Sequence, residues 1–380
     1  MNTIRLLLFW LAAVPLAFAQ EPLLVGAAIS QSGAHADVAA QYANGIRLWR
    51  DEVNAAGGLL GRRVALRALD DGSEAIRSRS LYARLIRDDK ADLLIGPYGS
   101  AATLIAAAEV ERAGHVMVNG AGAAAAVHGR GPRFVFQSAI PYSAYGSAVL
   151  QAAADNGYRK LFIVARDEAA SREMAEATHR EAGGGKFQPG DIEVYRPGTA
   201  DFVLLAQKAR ALGIEAWISF GDARDAAEMV KTFKRLNYAP PLFFARGASQ
   251  PRFIELLGQD AEFSLGLVDF DERVGEAARR FAKAYTEKWG VPPTLASAEG
   301  YAAGTVLGEA VRAAGTLDQA VLREALSRLE TTTVLGPYKV SPSGAQIGAK
   351  PRLVQIRLGL PDTGPPLLPY PKWDERALIK

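Results

Sequence analysis

Nine short, near-continuous apolar runs punctuate the chain: Leu23–Ile29, Val64–Leu69, Leu93–Ile95, Val116–Val118, Phe134–Phe136, Leu161–Ala165, Ile192–Tyr195, Ala216–Phe220 and Leu242–Ala245. Longer stretches whose apolar residues return every three or four positions lie between and after them: Tyr42–Ala55, Ser73–Asp88, Ala101–Arg112, Tyr145–Asn156, Ala170–Ala182, Phe202–Leu212, Ala223–Leu236, Val274–Trp289, Ala296–Ala314 and Leu317–Leu329. The first set predicts strands buried on both faces and the second predicts amphipathic helices. Their alternation predicts parallel sheets covered by helices. A single sheet would not comfortably absorb this many strands. The fold class expected is α/β, with two doubly wound, Rossmann-like lobes.

Glycine marks the joints. Val53-Asn-Ala-Ala-Gly-Gly-Leu-Leu-Gly-Arg62 closes the first helix and opens the second strand, and its adjacent glycines supply the positive φ that such a turn needs. Gly183-Gly-Gly-Lys186 follows a helix and lacks the spacing of a phosphate loop, so it reads as a C-terminal cap. Pro361–Pro371 is rich in proline and is either a solvated linker or a packing strap.

The amino terminus changes the compartment. Arg5, the apolar stretch Leu6–Leu16 and Ala17-Phe18-Ala19 read as the three parts of a secretory signal cleaved after Ala19. The chain contains no cysteine, so a cleaved product would carry no lipid anchor and no disulfide. The roughly 360 residues that remain exceed what one core usually serves, which again predicts two domains. The formal net charge is only +3, with acidic and basic residues interleaved, so nothing supports nucleic-acid binding.

One string of motifs is more specific than these bulk properties. Ser32-Gly33, Gly45, the NAAGGLLGR run, Asp70-Asp71 and Ile95-Gly-Pro-Tyr-Gly-Ser100 follow one another in order. With them the chain resembles the leucine/isoleucine/valine-binding protein family, the type I periplasmic solute receptors of ABC importers, over nearly the whole mature length. The resemblance implies a free-floating, monomeric periplasmic receptor that closes on a small molecule and docks to a membrane ABC permease. It implies three crossings between the lobes, placed near Ser138–Tyr142, Leu265–Phe270 and Val334–Lys339. Lobe 1 is then 20–140 plus 269–336, and lobe 2 is 141–268 plus 337–380.

Ligands of open α/β sheets bind beyond the carboxyl ends of strands. After Leu93–Ile95 comes Gly96-Pro-Tyr-Gly-Ser100, where Ser100 is a good N-cap and Ala101, Ala102 and Thr103 offer free backbone N–H groups to an anion. In the resembled family this loop grips the ligand's carboxylate. Ser100 falls on its serine stretch and Ala101 on its contact serine, although Ser100 also reads simply as a helix cap. Tyr98 walls the pocket or belongs to the core. After Val116–Val118, the loop Asn119–Ala126 offers Ala121, Gly122 and Ala123 as contacts; Ala123 stands where the family often has a threonine hydroxyl. The same loop spells G-x-G-x-x-A, a weak dinucleotide signature, but no acidic residue for a ribose occurs from Ala123 to Ala154. No cofactor is expected.

The second lobe departs further from the family. Ala170 and Asp222 occupy positions where the family often has tyrosines, and Arg246 replaces the glutamate that pairs with the ligand's amine. A guanidinium suits a carboxylate and repels an ammonium. Either Arg246 recognises an anionic group with Asp222 orienting it or meeting a separate donor on the ligand, or the two side chains pair with each other across adjacent loops. The ligand expected is a small carboxylate, an aromatic acid or an unusual amino acid. His35, His115, His128 and His179 are scattered without metal-ligand spacing, and no nucleophile elbow or Walker loop occurs. His35, in the loop after the first strand, is a ligand contact or an exposed loop histidine. Binding without turnover is therefore expected. A sensor of the same fold feeding a signalling partner is the alternative, and a doubly wound enzyme is a third reading.

Overall fold

A computed structural model describes residues 21–273, 275–364 and 367–373 of the chain. The leader read at Met1–Ala19 lies outside the described residues. The chain opens with β1 (Leu23–Ala28), α1 (Ala36–Ala55), β2 (Val64–Leu69), α2 (Ser78–Arg87), β3 (Leu93–Ile95), α3 (Ser100–Ala113), β4 (Met117–Asn119) and β5 (Val135–Gln137). These strands pair in parallel in the order β2-β1-β3-β4-β5.

A second sheet follows. It is built from α4 (Ser147–Asp155), β6 (Lys160–Arg166), α5 (Ala169–Gly183), β7 (Gln188–Pro189), β8 (Glu193–Tyr195), α6 (Val203–Ala211), β9 (Ala216–Phe220), α7 (Ala223–Arg235), β10 (Leu242–Ala245), α8 (Pro251–Leu257) and β11 (Leu265–Val268). The chain then returns to the first lobe as α9 (Glu276–Trp289), α10 (Leu295–Ala314), α11 (Gln319–Arg328) and a hairpin of β12 (Thr331–Thr333) and β13 (Gly336–Tyr338). It ends on the second sheet as β14 (Arg352–Arg357) and β15 (Leu360–Asp362). That sheet runs β15-β14-β11-β10-β9-β6-β7, with β8 also on β6; only β14 and β15 are antiparallel to their neighbours.

The strands are central and apolar, as parallel pairing requires: every residue of β3, β9 and β10 is buried. The turn after α1 forms as its glycines predict, with Gly57 at φ 99° and Gly58 at φ 86°. Val334 and Leu335 join the two strands of the β12–β13 hairpin and pack in one cluster with Phe281 and Tyr285, so the run from β13 to β14 is the segment that leads back to the second sheet. The proline-rich segment, where described, is a strap. The Tyr370 amide donates to Pro241 O (2.9 Å), Trp373 Nε1 donates to Tyr238 O (2.9 Å), and the Gln355 side chain brackets Leu368 through both its backbone groups.

Two close approaches place the elements that matter for function. Helices α1 and α10 touch through glycine: a Cβ on Gly45 would stand 1.9 Å from Ser297 O, and one on Gly300 2.1 Å from Tyr42 O. Gly247 lies against the start of α7, where a Cβ would sit 2.3 Å from the Asp222 carbonyl carbon. The first seam fixes the residue before Gly300, and the second fixes the residue before Gly247. Those residues are Glu299 and Arg246.

Candidate functional site

A cavity of about 270 Å³ opens beyond the carboxyl ends of β3, β4 and β10. Tyr98, Ala121 and Ala123 line it from the first lobe, with Val38 and Gln41 of α1 and Thr294, Leu295, Ala296 and Glu299 at the start of α10. Tyr142 and Tyr145, which follow β5, and Arg246, which follows β10, complete it. The cavity thus collects loops from both sheets, as ligand sites of doubly wound folds do.

Local chemistry shapes each wall. Gly99, at φ 91°, is the N-cap of α3, and Ser100 is the first helical residue. Ser100 therefore does not cap the helix; its hydroxyl accepts from the Ala124 amide (3.1 Å) and ties α3 to the loop after β4. That loop is built on buried Asn119, which accepts from the Gly122 amide (2.7 Å) and donates to the Gly122 carbonyl (2.8 Å). Its glycines serve close packing. A Cβ on Gly120 would stand 2.4 Å from the Tyr42 hydroxyl and one on Gly122 2.7 Å from Thr103 Oγ1. The loop runs into a short 3₁₀ turn, Ala125–Val127, with no α-helix there to hold a pyrophosphate. On the far side, Thr294 caps α10 with Ser297 as its reciprocal partner.

Of the residues singled out from the sequence, Tyr98, Ala121, Ala123 and Arg246 meet in the cavity wall, while Ser100, Ala101, Ala102, Gly122, Ala170 and Asp222 are not part of it. Exposed His35 stands outside it, at the start of α1. Asp222 and Arg246 do not pair. Asp222 caps α7, accepting from the Arg224 and Asp225 amides, and its carboxylate forms an ion pair with Arg166. Arg166 also reaches Asp225 (3.2 Å), which accepts from the Tyr195 hydroxyl (2.9 Å). The half-buried Arg246 guanidinium instead lies over the Tyr145 ring, 5.7 Å from its centroid, with no carboxylate in ion-pair contact among the described residues.

Sequence reasoning missed two acids. Glu299 lines the cavity from α10, and Asp269 sits one residue past the end of β11. Burial, reinforced by Asp269, pushes the Glu299 carboxyl well above the ordinary range. Burial likewise raises Asp269, against the opposing pull of Arg246 and of the Tyr145 hydroxyl. Burial, then Glu299, brings the Tyr98 phenol up to about 12. Tyr142 and Tyr145 are raised first by burial too. Both acids left a trace in the sequence: Asp269 directly follows an apolar run, and Glu299 is the one acid in the small-residue run Leu295–Gly308. The arrangement presents one cationic fork, two acids and three phenols to a small solute. Among the described residues there is no cluster suited to a metal ion.

The first lobe also touches the second directly, because the Ala125 amide donates to Glu173 of α5 (2.7 Å). No helix among the described residues is long and apolar enough to cross a membrane.

Comparison with known proteins agrees with this architecture. An amino acid binding protein of Pseudomonas aeruginosa is 24% identical over 334 residues, 85% of this chain and 87% of its own length. A crystal structure from Rhodospirillum rubrum, provisionally ascribed to a branched-chain amino acid ABC transporter, superimposes with a TM-score of 0.81 at 20% identity, covering 90% of this chain and all of the other. A solute-binding protein of an ABC transporter from R. palustris, solved with benzoate, superimposes with a TM-score of 0.69 at 20% identity, covering 92% and 98%. These likenesses establish the type I periplasmic binding protein fold. Residues 22–364 match the family described as periplasmic binding protein, and the chain belongs to that family.

Proposed function

We propose that this protein is the extracytoplasmic receptor of an ABC importer of the branched-chain amino acid type, binding a small carboxylate-bearing solute between its lobes. The observation that carries this reading is Arg246. It is a guanidinium set over the Tyr145 ring in the wall of an inter-lobe cavity, with no protein carboxylate in ion-pair contact among the described residues. An arginine held in that way presents its planar N–H fork to a carboxylate. Closure of the lobes by hinge motion removes water from the charged ends and strengthens each contact. The closed, monomeric form then docks to a membrane permease, and the solute is released unchanged. The Pseudomonas relative is called an amino acid binding protein and the R. palustris protein was solved with benzoate, which supports testing compounds from amino acids to aromatic acids.

Thermal unfolding tests this. The protein is unfolded and refolded to strip carried-over solute, then heated with amino acids, aliphatic acids, aromatic acids and amides. A solute at 100 times its Kd adds about 2.7 kcal/mol. Stabilisation by carboxylate-bearing compounds, lost in Arg246→Ala, is expected. Stabilisation by amides alone, or an Arg246→Ala response equal to that of the unsubstituted protein, contradicts the reading.

A further inference from the structure

One buried side chain joins the cavity loop to two of the segments that cross between the lobes. Gln137 ends β5 and is 1% exposed. Its Nε2 donates to the Gly122 carbonyl (3.0 Å), and its Oε1 accepts from the Gln346 amide (3.2 Å). A carbonyl only accepts and a backbone N–H only donates, so these partners fix which way round the side-chain amide lies. Gly122 stands between Ala121 and Ala123 of the cavity wall. Soon after Gln137 the chain leaves the first lobe, since Ile140 already packs in the core of the second. Soon after Gln346 it leaves again, since Ala349 packs in that same core. Buried Gln346 holds the second of these crossings against β13, its Oε1 accepting from the Lys339 and Gly348 amides (3.1 and 2.8 Å). The two glutamines meet because Gly344 lets their segments approach. Its carbonyl accepts from the Gln137 amide (2.8 Å), and a Cβ there would stand 2.1 Å from Val135 O.

We propose that Gln137 is a positioning residue that couples the cavity loop to the angle between the lobes. This rests on the reading of the cavity as the solute site, and Gln137 itself is not in the cavity wall. The loop, the end of β5 and the starts of both crossings form one hydrogen-bonded block. The lobes turn beyond it, at Ser138–Ala139 and at Gly348. A solute pressing on Ala121 or Ala123 therefore reaches both turning points through one amide. The far side of the first crossing follows the same loop, because the Tyr142 amide donates to Ala123 O (3.1 Å). Coupling of this kind needs a brace that favours one arrangement of loop and crossings over the others. A buried amide satisfied at both ends is such a brace: any other placement strands the Gln346 N–H and takes a donor from the Gly122 carbonyl. Methionine matches its length and does neither job, while ionised glutamate accepts and does not donate.

The test reads the distance between the lobes. The chain has no cysteine, so Ala108→Cys on α3 and Glu176→Cys on α5, both exposed, take one spin label each. Double electron–electron resonance is recorded on the solute-stripped labelled parent and on the same protein carrying Gln137→Met or Gln137→Glu. Each is measured alone, with L-leucine and with benzoate. Gln137→Glu keeps the bond from Gln346, so it serves if Gln137→Met does not fold. Without solute, either substitution is expected to widen the distance distribution about twofold. A probe that binds the parent by calorimetry should shorten and narrow the parent's distribution. In the variants it should bind about tenfold more weakly and leave the distribution wide even at saturation. Asp222→Ala is the control, because it lowers stability away from the brace and should keep the parent's distribution. Parent-like widths in the folded Gln137 variants, or equal widening in Asp222→Ala, overturn the coupling. If neither probe binds the parent, the solute reading fails for both compounds, and the solute-free widths still decide the brace.

Discussion

The Arg246 guanidinium carbon lies 5.7 Å from the centre of the Tyr145 ring. The ring holds the cation beside it through its π face, and no ion pair with a described carboxylate occupies the guanidinium N–H groups. Arg246→Ala should therefore cost about 2–4 kcal/mol of binding, roughly 30- to 1,000-fold in Kd, with little change in fold. Arg246→Lys should recover only part of this, since an ammonium lacks the fork. Calorimetry on the two variants checks both statements.

Asp222 should behave differently. Its carboxylate is committed to the start of α7 and to Arg166. Asp222→Ala removes the cap and is expected to lower stability by about 1–2 kcal/mol in urea unfolding. Solute affinity should stay within about threefold, because a lost cap acts on folding and not on the cavity wall. Asp222→Asn, which retains capping ability, should fall between the two.

The raised acids set the sign of one pH effect. A carboxyl that ionises at higher pH in the folded protein than in the unfolded chain binds its proton more tightly when folded. The stability contributed by Glu299 and Asp269 is therefore full below their ordinary values of 4.5 and 3.8 and falls as pH rises through the raised folded values. Asp70 acts in the opposite sense and lower down. Hydrogen bonds, first from the Gly72 amide and then from Ser32, hold its carboxyl at about 2, so its contribution is present above 3.8 and is lost toward 2. Glu299→Gln should flatten the decline above pH 4.5 and leave the acid limb unchanged. Thermal midpoints measured from pH 2 to 8 on both proteins test this.

Asn119 is the scaffold of the loop after β4. Asn119→Ala deletes both of its bonds to Gly122 in a buried site and should cost about 2–3 kcal/mol. The loosened loop carries Ala121 and Ala123 of the cavity wall, so affinity should weaken as well. Urea unfolding and calorimetry on one preparation separate the two effects.

Period and apolarity made most of the elements legible. Val64–Leu69 and Ala216–Phe220 are strands at the residues expected, and Leu242–Ala245 matches to the residue. Others shift by one: the run at Val116–Val118 forms its strand at Met117–Asn119, where hydrogen bonding to β5 decides the ends. The short helix Pro251–Leu257 and the two-residue β7 lack enough residues to show a period. At the site, strand ends identified Tyr98, the Asn119–Ala126 loop and Arg246. They also suggested Ser100 as a cap and Asp222 as a neighbour of Arg246, because sequence position says which loops converge and not how far each side chain reaches. Arg166, 56 residues before Asp222, claims that carboxylate instead. Glu299 was missed because the helical pattern marked α10 as packing, and it is the close contact of α1 and α10 that sets this acid at the cleft.

The most direct measurement is a crystal structure of the protein with the panel compound that raises its unfolding temperature most. The account predicts that compound between the lobes, among Tyr98, Tyr142 and Tyr145, with its carboxylate about 3 Å from the Arg246 guanidinium. A compound bound outside the cavity, or inside it with its carboxylate turned away from Arg246, would contradict the account.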